Sequence, residues 1–470
     1  MQLGFGLYAW STGASRRIIK ILNQCNLSPS YTTILEVVDR IGKQCVIEAT
    51  EAVNSSPHAL GYDNFQTSRS NHVEQRPNAP NKVECGTFPM IYQLYNAHFE
   101  DMLLEPMLKR FRSAKPLSFG DITSTPDQIS SYTRQSRIHV IRVLIKHCSG
   151  FAPLALHSDL QHKARRPLPH DHRTQFFPLH MVPIEEASIK GNLLVQNDVY
   201  KIQLNQKTEP DSKIVKYAVP LFADLMTILR ARQCVAQRKG DINHFETRES
   251  IGSGEAAGVF HMGMNLDWVV KNKHAGSELQ VGSLKYWFSK LDKVRLGGDK
   301  PDYHALLATF EQILDGMLLH AWLLECGYSS LDAFANSKPT PEELLKIADH
   351  ILLEYATPLP VPPGSQKAAA ESDSESDNDN NDESESDSET QAHRRNPRND
   401  VLNQNLRILA CDLLYVRELA SAVHDGDFGR CEDIFLDLAR IFRGGGSFNY
   451  SNEILHYIYN VKRVWSPEYA

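Results

Sequence analysis

Ten Asp and Glu residues, with no Lys or Arg among them, fall between Glu371 and Glu389 of this 470-residue chain, interleaved with serine. A segment of that composition buries too little apolar surface to offset the entropy of ordering it, so 365–399 is expected to be disordered. It separates a long folded part, 1–360, from a C-terminal piece, 400–470. Ser372, Ser374, Ser384 and Ser386 each have an acid three positions on, so phosphorylation would deepen the charge and favour basic protein partners for 371–389. The formal charge of the whole chain is −7 and that of the remainder, without these ten acids, is +3. The acidity therefore belongs to one tether and not to a folded surface.

Hydrophobic content of 41% and charge of 23% are those of a globular protein, and the length suffices for two or three domains of core. The eight cysteines lie no closer than twenty positions, which argues against a zinc knuckle and against a disulfide scaffold and fits a reducing, intracellular compartment. No run of 18 apolar residues exists, so no membrane-spanning helix is expected. The apolar stretch before Arg16 lacks the positive region of a signal peptide. Basic clusters at Lys163, Arg165 and Arg166 and at Arg394, Arg395 and Arg398 read as nuclear import or nucleic-acid contacts, or else as solvated surface. They favour a nuclear over a cytoplasmic location.

In 1–50 the spacing predicts two helices, 14–23 and one capped by Ser30, a pair that also fits a helix-turn-helix. From 51 to 97 the period becomes extended, and HALGYDNFQ, NHVEQR and KVECGTFPMIYQLY predict three antiparallel strands. The stretch 98–210 reads as helical and then Pro- and His-rich, with His157, His162, His170, His172 and His180; the His170/His172 pair is weak metal evidence. In 211–275, KIVKYAVPLFAD and AGVFHMGMN read as further strands, the first ending in Asp224 and the second carrying His261. The region 276–360 is helical, with a stripe at Leu306, Phe310, Ile313, Leu314, Met317, Leu318 and Trp322 and a capping box at Thr340-Pro341-Glu342-Glu343. Beyond 400, amphipathic helices end in one whose first turn is expected to hold Glu453.

Two strands ending in a carboxylate are the chemical signal. A rigidly held Asp at a strand end still faces solvent, which suits a metal; an isolated Asp63-Asn64 more often simply begins a turn.

The phrases LGYDNFQ, VEQR, ECGTF, IEEASIKGNLLVQNDVY, FADLMTILRAR, GVFHMGMN, LGGDKPDYHALLATFEQILDGMLLHAW, VHDGDFGR and FRGGGSFNYSNEIL together resemble the fungal family catalogued as domain of unknown function 6589, over nearly the whole chain. Members of that family look longer at both ends, so this chain reads as a fragment or a shortened gene model. The family name implies no activity. The arrangement is also similar to ribonuclease-H-like transposases with an inserted helical domain. That resemblance implies an α/β, predominantly helical fold: a ribonuclease-H-like mixed sheet core interrupted by large helical insertions, with the disordered acidic linker. It further implies a transposon-derived protein, active or not, that acts on DNA by cleaving or transferring phosphodiesters. In such a fold two strand-borne aspartates and a helix-borne acid hold two Mg²⁺ or Mn²⁺ ions. On that mapping Asp63, Asp224 and Glu453 are the metal ligands, and His261 resembles the histidine of a Cys-x-x-His signature, with Gly258 where the Cys would stand. The competing expectation is a non-catalytic helical scaffold that uses its acidic tether for protein contacts.

Overall fold

A computed structural model describes residues 1–68, 83–252, 254–360 and 401–470. The acidic stretch, the NHVEQR segment and the second basic cluster lie outside the described residues. The fold is mostly helical with one mixed five-stranded sheet, an α/β architecture. Two compact units are present: Met1–Ile122, Pro169–Met262 and Glu453–Ala470 form the first, and Thr123–Leu168 with Gly263–Asn452 form the second. Among the described residues no helix is long and apolar enough to cross a membrane.

The first unit is built on the sheet. Its strands are β1 (His58–Ser68), β2 (Val83–Gln93), β3 (Phe176–Pro178), β4 (Leu221–Ala223) and β5 (Glu255–Ala257). Their order is β3-β2-β1-β4-β5; β1–β2 and β2–β3 are antiparallel, whereas β1–β4 and β4–β5 are parallel. β1 is central because its start is apolar on both faces: Ala59, Leu60, Gly61 and Tyr62 are all buried. Leu60 and Tyr62 point with Ile91, Leu221 and Ala223 into a core completed by Ala49 and Val53, Val195, and Ile228 and Ala231. Those partners come from the helices Tyr31–Ser55, Ile189–Asn197 and Leu225–Gln237. Each such aliphatic side chain contributes ~1.5–3 kcal/mol by leaving water. On the opposite face Phe65, Phe88 and Phe222 are exposed.

Several local expectations change. The run 213–224 is not a continuous strand: a helical turn occupies Lys213–Lys216, and only Leu221–Ala223 pairs in the sheet. Pro220, which has no N–H to give a ladder, stands just before it. AGVFHMGMN is not a strand either; β5 ends at Ala257, and His261 lies in the first turn of the helix Val259–Lys273. Periodicity cannot separate a short apolar strand from a buried helical turn. The partner that β2 takes on its far side is β3, from the Pro/His-rich stretch.

At the N-terminus the two expected helices form as Arg16–Gln24 and Tyr31–Ser55, with Ser15 and Ser30 accepting from Ile18 N and Thr33 N. An additional helix, Gln2–Ser11, precedes them despite two glycines. A Cβ on Gly6 would lie 2.5 Å from Ser28 Oγ, so close packing overrides the glycine penalty there.

The second unit is helical, with Pro126–His147, Tyr303–Glu325, Pro341–Tyr355, Val401–His424 and Phe428–Gly444 as its long members. The Leu306–Trp322 stripe is core, and Trp322 donates Nε1–H to the Val140 carbonyl at 3.0 Å. The Thr340 capping box forms, and Gly327 takes φ +74° just past Glu325, as a helix stop requires. Arg165 and Arg166 brace this unit: Arg165 pairs with Asp127 and Asp433, and Arg166 with Glu432.

Candidate active site

Register brings the two strand-borne aspartates together. Leu60 pairs with Leu221 and Gly61 with Phe222, so two steps further along these parallel neighbours Asp63 stands level with Asp224. Paired residues share a face, and Asp63, like Phe222, belongs to the face opposite the Leu60 core. Asp224 is the N-cap of Leu225–Gln237, its Oδ1 accepting from Thr227 N at 2.7 Å. Asp63 is exposed, and its Oδ1 accepts from Asn64 N at 2.8 Å.

A third carboxylate joins them, and the sequence reading passed over it. Glu186 is fully buried; Oε1 accepts from Thr227 Oγ1 at 3.0 Å, so Thr227 touches both Asp224 and Glu186. Its other oxygen, Oε2, is buried with no hydrogen-bond partner among the described residues. Burial pushes the Glu186 carboxyl up to about 7, against the hydrogen bond from the Thr227 hydroxyl and with added repulsion from Asp63 and Asp224. The three acids therefore share one electrostatic neighbourhood.

Local chemistry fixes Glu186. Thr87 in β2 exchanges backbone hydrogen bonds with Val182 at 2.8 Å, and its hydroxyl donates to the Ile184 carbonyl at 2.7 Å. Just beyond, Asn192 Nδ2 donates to the Glu186 carbonyl, while Asn192 Oδ1 accepts from Tyr62 OH at 2.8 Å. Tyr62 precedes Asp63, so β1 itself anchors the Glu186 backbone. A Cβ on Gly191 would lie 2.0 Å from the Glu185 carbonyl oxygen. Gly191→Ala must therefore displace the Glu185–Glu186 turn, and a loss of about 1–3 kcal/mol is expected in urea unfolding. Wild-type stability in that variant would show a turn free to move.

His261 and Glu453 complete the inventory. Gly258 N donates to the Ala223 carbonyl at 3.0 Å, which sets the helix carrying His261 beside the end of β4. Glu453 is in the second turn of Phe448–Tyr459, not the first, so the helix dipole is a weak account of it. Both its oxygens receive Arg232, at 2.7 and 2.8 Å, and Arg232 also holds Glu255 at 2.6 Å. Arg232 is eight positions beyond Asp224, about 12 Å of helix. The strand-borne pair thus gains Glu186 as its documented neighbour, while Glu453 serves a buried guanidinium. A paired Glu185-Glu186 just ahead of the Ser188 cap was the available sequence signal, and it resembles an ordinary acidic helix start.

The set of three or more ligating groups drawn within 4.8 Å of one another among the described residues is a different one, His139, His162 and Glu418, in the second unit.

Residues 111–470 match one family model, described as Family of unknown function (DUF6589). Glu186, Asp224, His261 and Glu453 fall within the match; Asp63 precedes it. No curated protein and no solved structure matches the chain.

Proposed function

The chain belongs to the DUF6589 family, and from the carboxylate geometry of this member we propose a ribonuclease-H-like, transposon-derived module that cleaves or transfers DNA phosphodiesters with Mg²⁺ or Mn²⁺. The single observation that carries the reading is the grouping of Asp63, within the central strand, Asp224, just past the end of its parallel neighbour, and Glu186, in a loop bonded to Thr227. The sheet supports it: the first strand of the meander is central, and the strand ending in the second aspartate is its parallel neighbour.

The donor set fits a divalent ion. Glu186 Oε2 is a buried oxygen with no hydrogen-bond partner among the described residues, and Asp63 is an exposed residue. Asp63, Asp224 and Glu186 are the ligands on this reading. Ions bound there would activate water or a 3′ hydroxyl and stabilise the leaving oxygen. Thr227 sets the spacing of Asp224 and Glu186 by bonding both, and the Arg232–Glu453–Glu255 cluster holds the helix that bears Asp224 against β5. His261, at the start of the neighbouring helix, would exchange a proton with the reacting oxygens on this reading. Phe65, Phe88 and Phe222, exposed on the face of Asp63, offer rings on which unpaired bases stack.

The test is nicking of supercoiled DNA by the purified full chain with Mn²⁺ or Mg²⁺. Cleavage that needs the metal and disappears in Asp224→Asn is expected. Equal nicking by the variant, or none by the wild type, overturns the proposal.

A further inference from the structure

We propose that His139, His162 and Glu418 form a second and unrelated site, in the helical unit, for one divalent transition metal of the zinc class. Their ligand atoms lie within 4.8 Å of one another. They come from three segments: His139 from Pro126–His147, His162 from the loop after it, and Glu418 from Val401–His424. A bound ion would tie all three together. The sequence drew attention to the His170/His172 pair, of which His170 is exposed and His172 packs on Tyr95; His162, in the same stretch, is the histidine that meets buried Glu418.

The hydrogen bonds set the protons. Gln135 Nε2 donates to the Lys163 carbonyl at 2.7 Å, which fixes its amide and turns Oε1 toward His162 Nδ1 at 2.8 Å. Nδ1 must then carry the His162 proton. Nε2 is left as a bare lone pair, and that atom is buried with no hydrogen-bond partner among the described residues. Buried acceptors are rarely left so. An oriented imidazole with its far nitrogen bonded to an amide oxygen is how metal ligands are held.

His139 Nε2 lies 2.7 Å from Glu418 Oε2. Burial, helped by Arg417, Arg430 and Arg142, keeps this imidazole neutral, so Nε2–H donates to the carboxylate. Uptake of an ion replaces that proton, and the ring stays neutral by carrying one on Nδ1. The charges facing the cluster are Arg142, Arg417, Arg430 and Lys146 against Glu418, Asp425, Asp315 and Glu311. Arg430 is committed to Glu418 and Asp425, and Arg417 to Glu311 and Asp315. A balanced surround of this kind gives a hard ion such as Mg²⁺ little reason to enter, whereas two imidazoles suit zinc. A cavity of about 250 Å³, lined by His139, Arg142, Lys146, Glu311, Asp315 and Arg417, reaches the first of the three ligands, and a water as fourth ligand would come from that side.

The experiment uses the full chain carrying Asp63→Asn and Asp224→Asn, stripped with a chelator and titrated with Co²⁺ and then Zn²⁺. One equivalent of Co²⁺ with the visible bands of a four-coordinate, nitrogen-bound ion, displaced by Zn²⁺, is expected. His162→Gln should weaken binding by at least about 10-fold and Gln135→Leu by about 10–100-fold. Zinc should raise the melting temperature of the parent and not that of His162→Gln, while the metal-free proteins melt alike. Absence of saturable binding by the parent overturns the site whatever the variants do. So does equal binding by parent and His162→Gln.

Discussion

The Glu186→Gln protein is expected to lose metal-dependent cleavage by about 10²–10³-fold and yet to be harder to unfold above pH 7. Burial first, then the charges of Asp63 and Asp224, hold the Glu186 carboxyl at about 7 against an ordinary 4.5. A carboxyl raised in the folded state adds stability that is fully present below its unfolded value and is lost as pH rises through the folded one. The wild type should therefore weaken by about 3 kcal/mol between about pH 4.5 and pH 8, whereas the glutamine protein should not. Urea midpoints across that range measure the difference. Mn²⁺ should restore the wild type at the alkaline end, because a dication between the acids removes the penalty for ionising Glu186. Wild-type cleavage should also climb through about pH 7, as the third ligand becomes available. A variant that nicks as well as the wild type at pH 8 would remove Glu186 from the site. A variant less stable than the wild type at pH 8 would mean that the buried oxygen has a partner.

How much of this was legible in the sequence depends on whether each signal is local. The Ser15, Ser30 and Thr340 caps are written within three residues of where they act, and the Leu306–Trp322 stripe repeats at helical spacing, so those helices follow directly. Asp63 and Asp224 were visible because each follows an apolar run. Their adjacency was not, since it arises from a pairing between strands more than 150 residues apart, one of them three residues long. Glu186 sits in a loop whose position is set by Thr87 and Asn192 from two other elements, and no periodicity marks such a residue. The pairing of Glu453 was hidden for the complementary reason. A glutamate near a helix start is favoured by the dipole anyway, and its true partner, Arg232, is 221 positions away.

The same non-local logic gives the largest stability effect expected in the helical unit, at Arg430. Its guanidinium is buried against Glu418, with Nε to Oε1 at 2.8 Å and an Nη to Oε2 at 2.9 Å, and it also reaches Ser421 and Asp425. Both members of the pair are 1% exposed. Arg430→Met fills the volume but leaves Glu418 charged and buried, with only His139 to donate to it, and should cost about 3–5 kcal/mol. Urea unfolding in the presence of chelator, followed through buried Trp322, measures this without any contribution from bound metal. Adding Glu418→Gln removes the stranded charge and keeps an acceptor for His139, so the double variant should recover at least half of the loss. Burial already pushes the Glu418 carboxyl upward, and without Arg430 it rises further. Glu418 then contributes stability that is present at low pH and lost as pH rises through its folded value. The deficit of Arg430→Met should accordingly shrink on acidification, and a deficit independent of pH would mean that packing, not the stranded carboxylate, sets the cost.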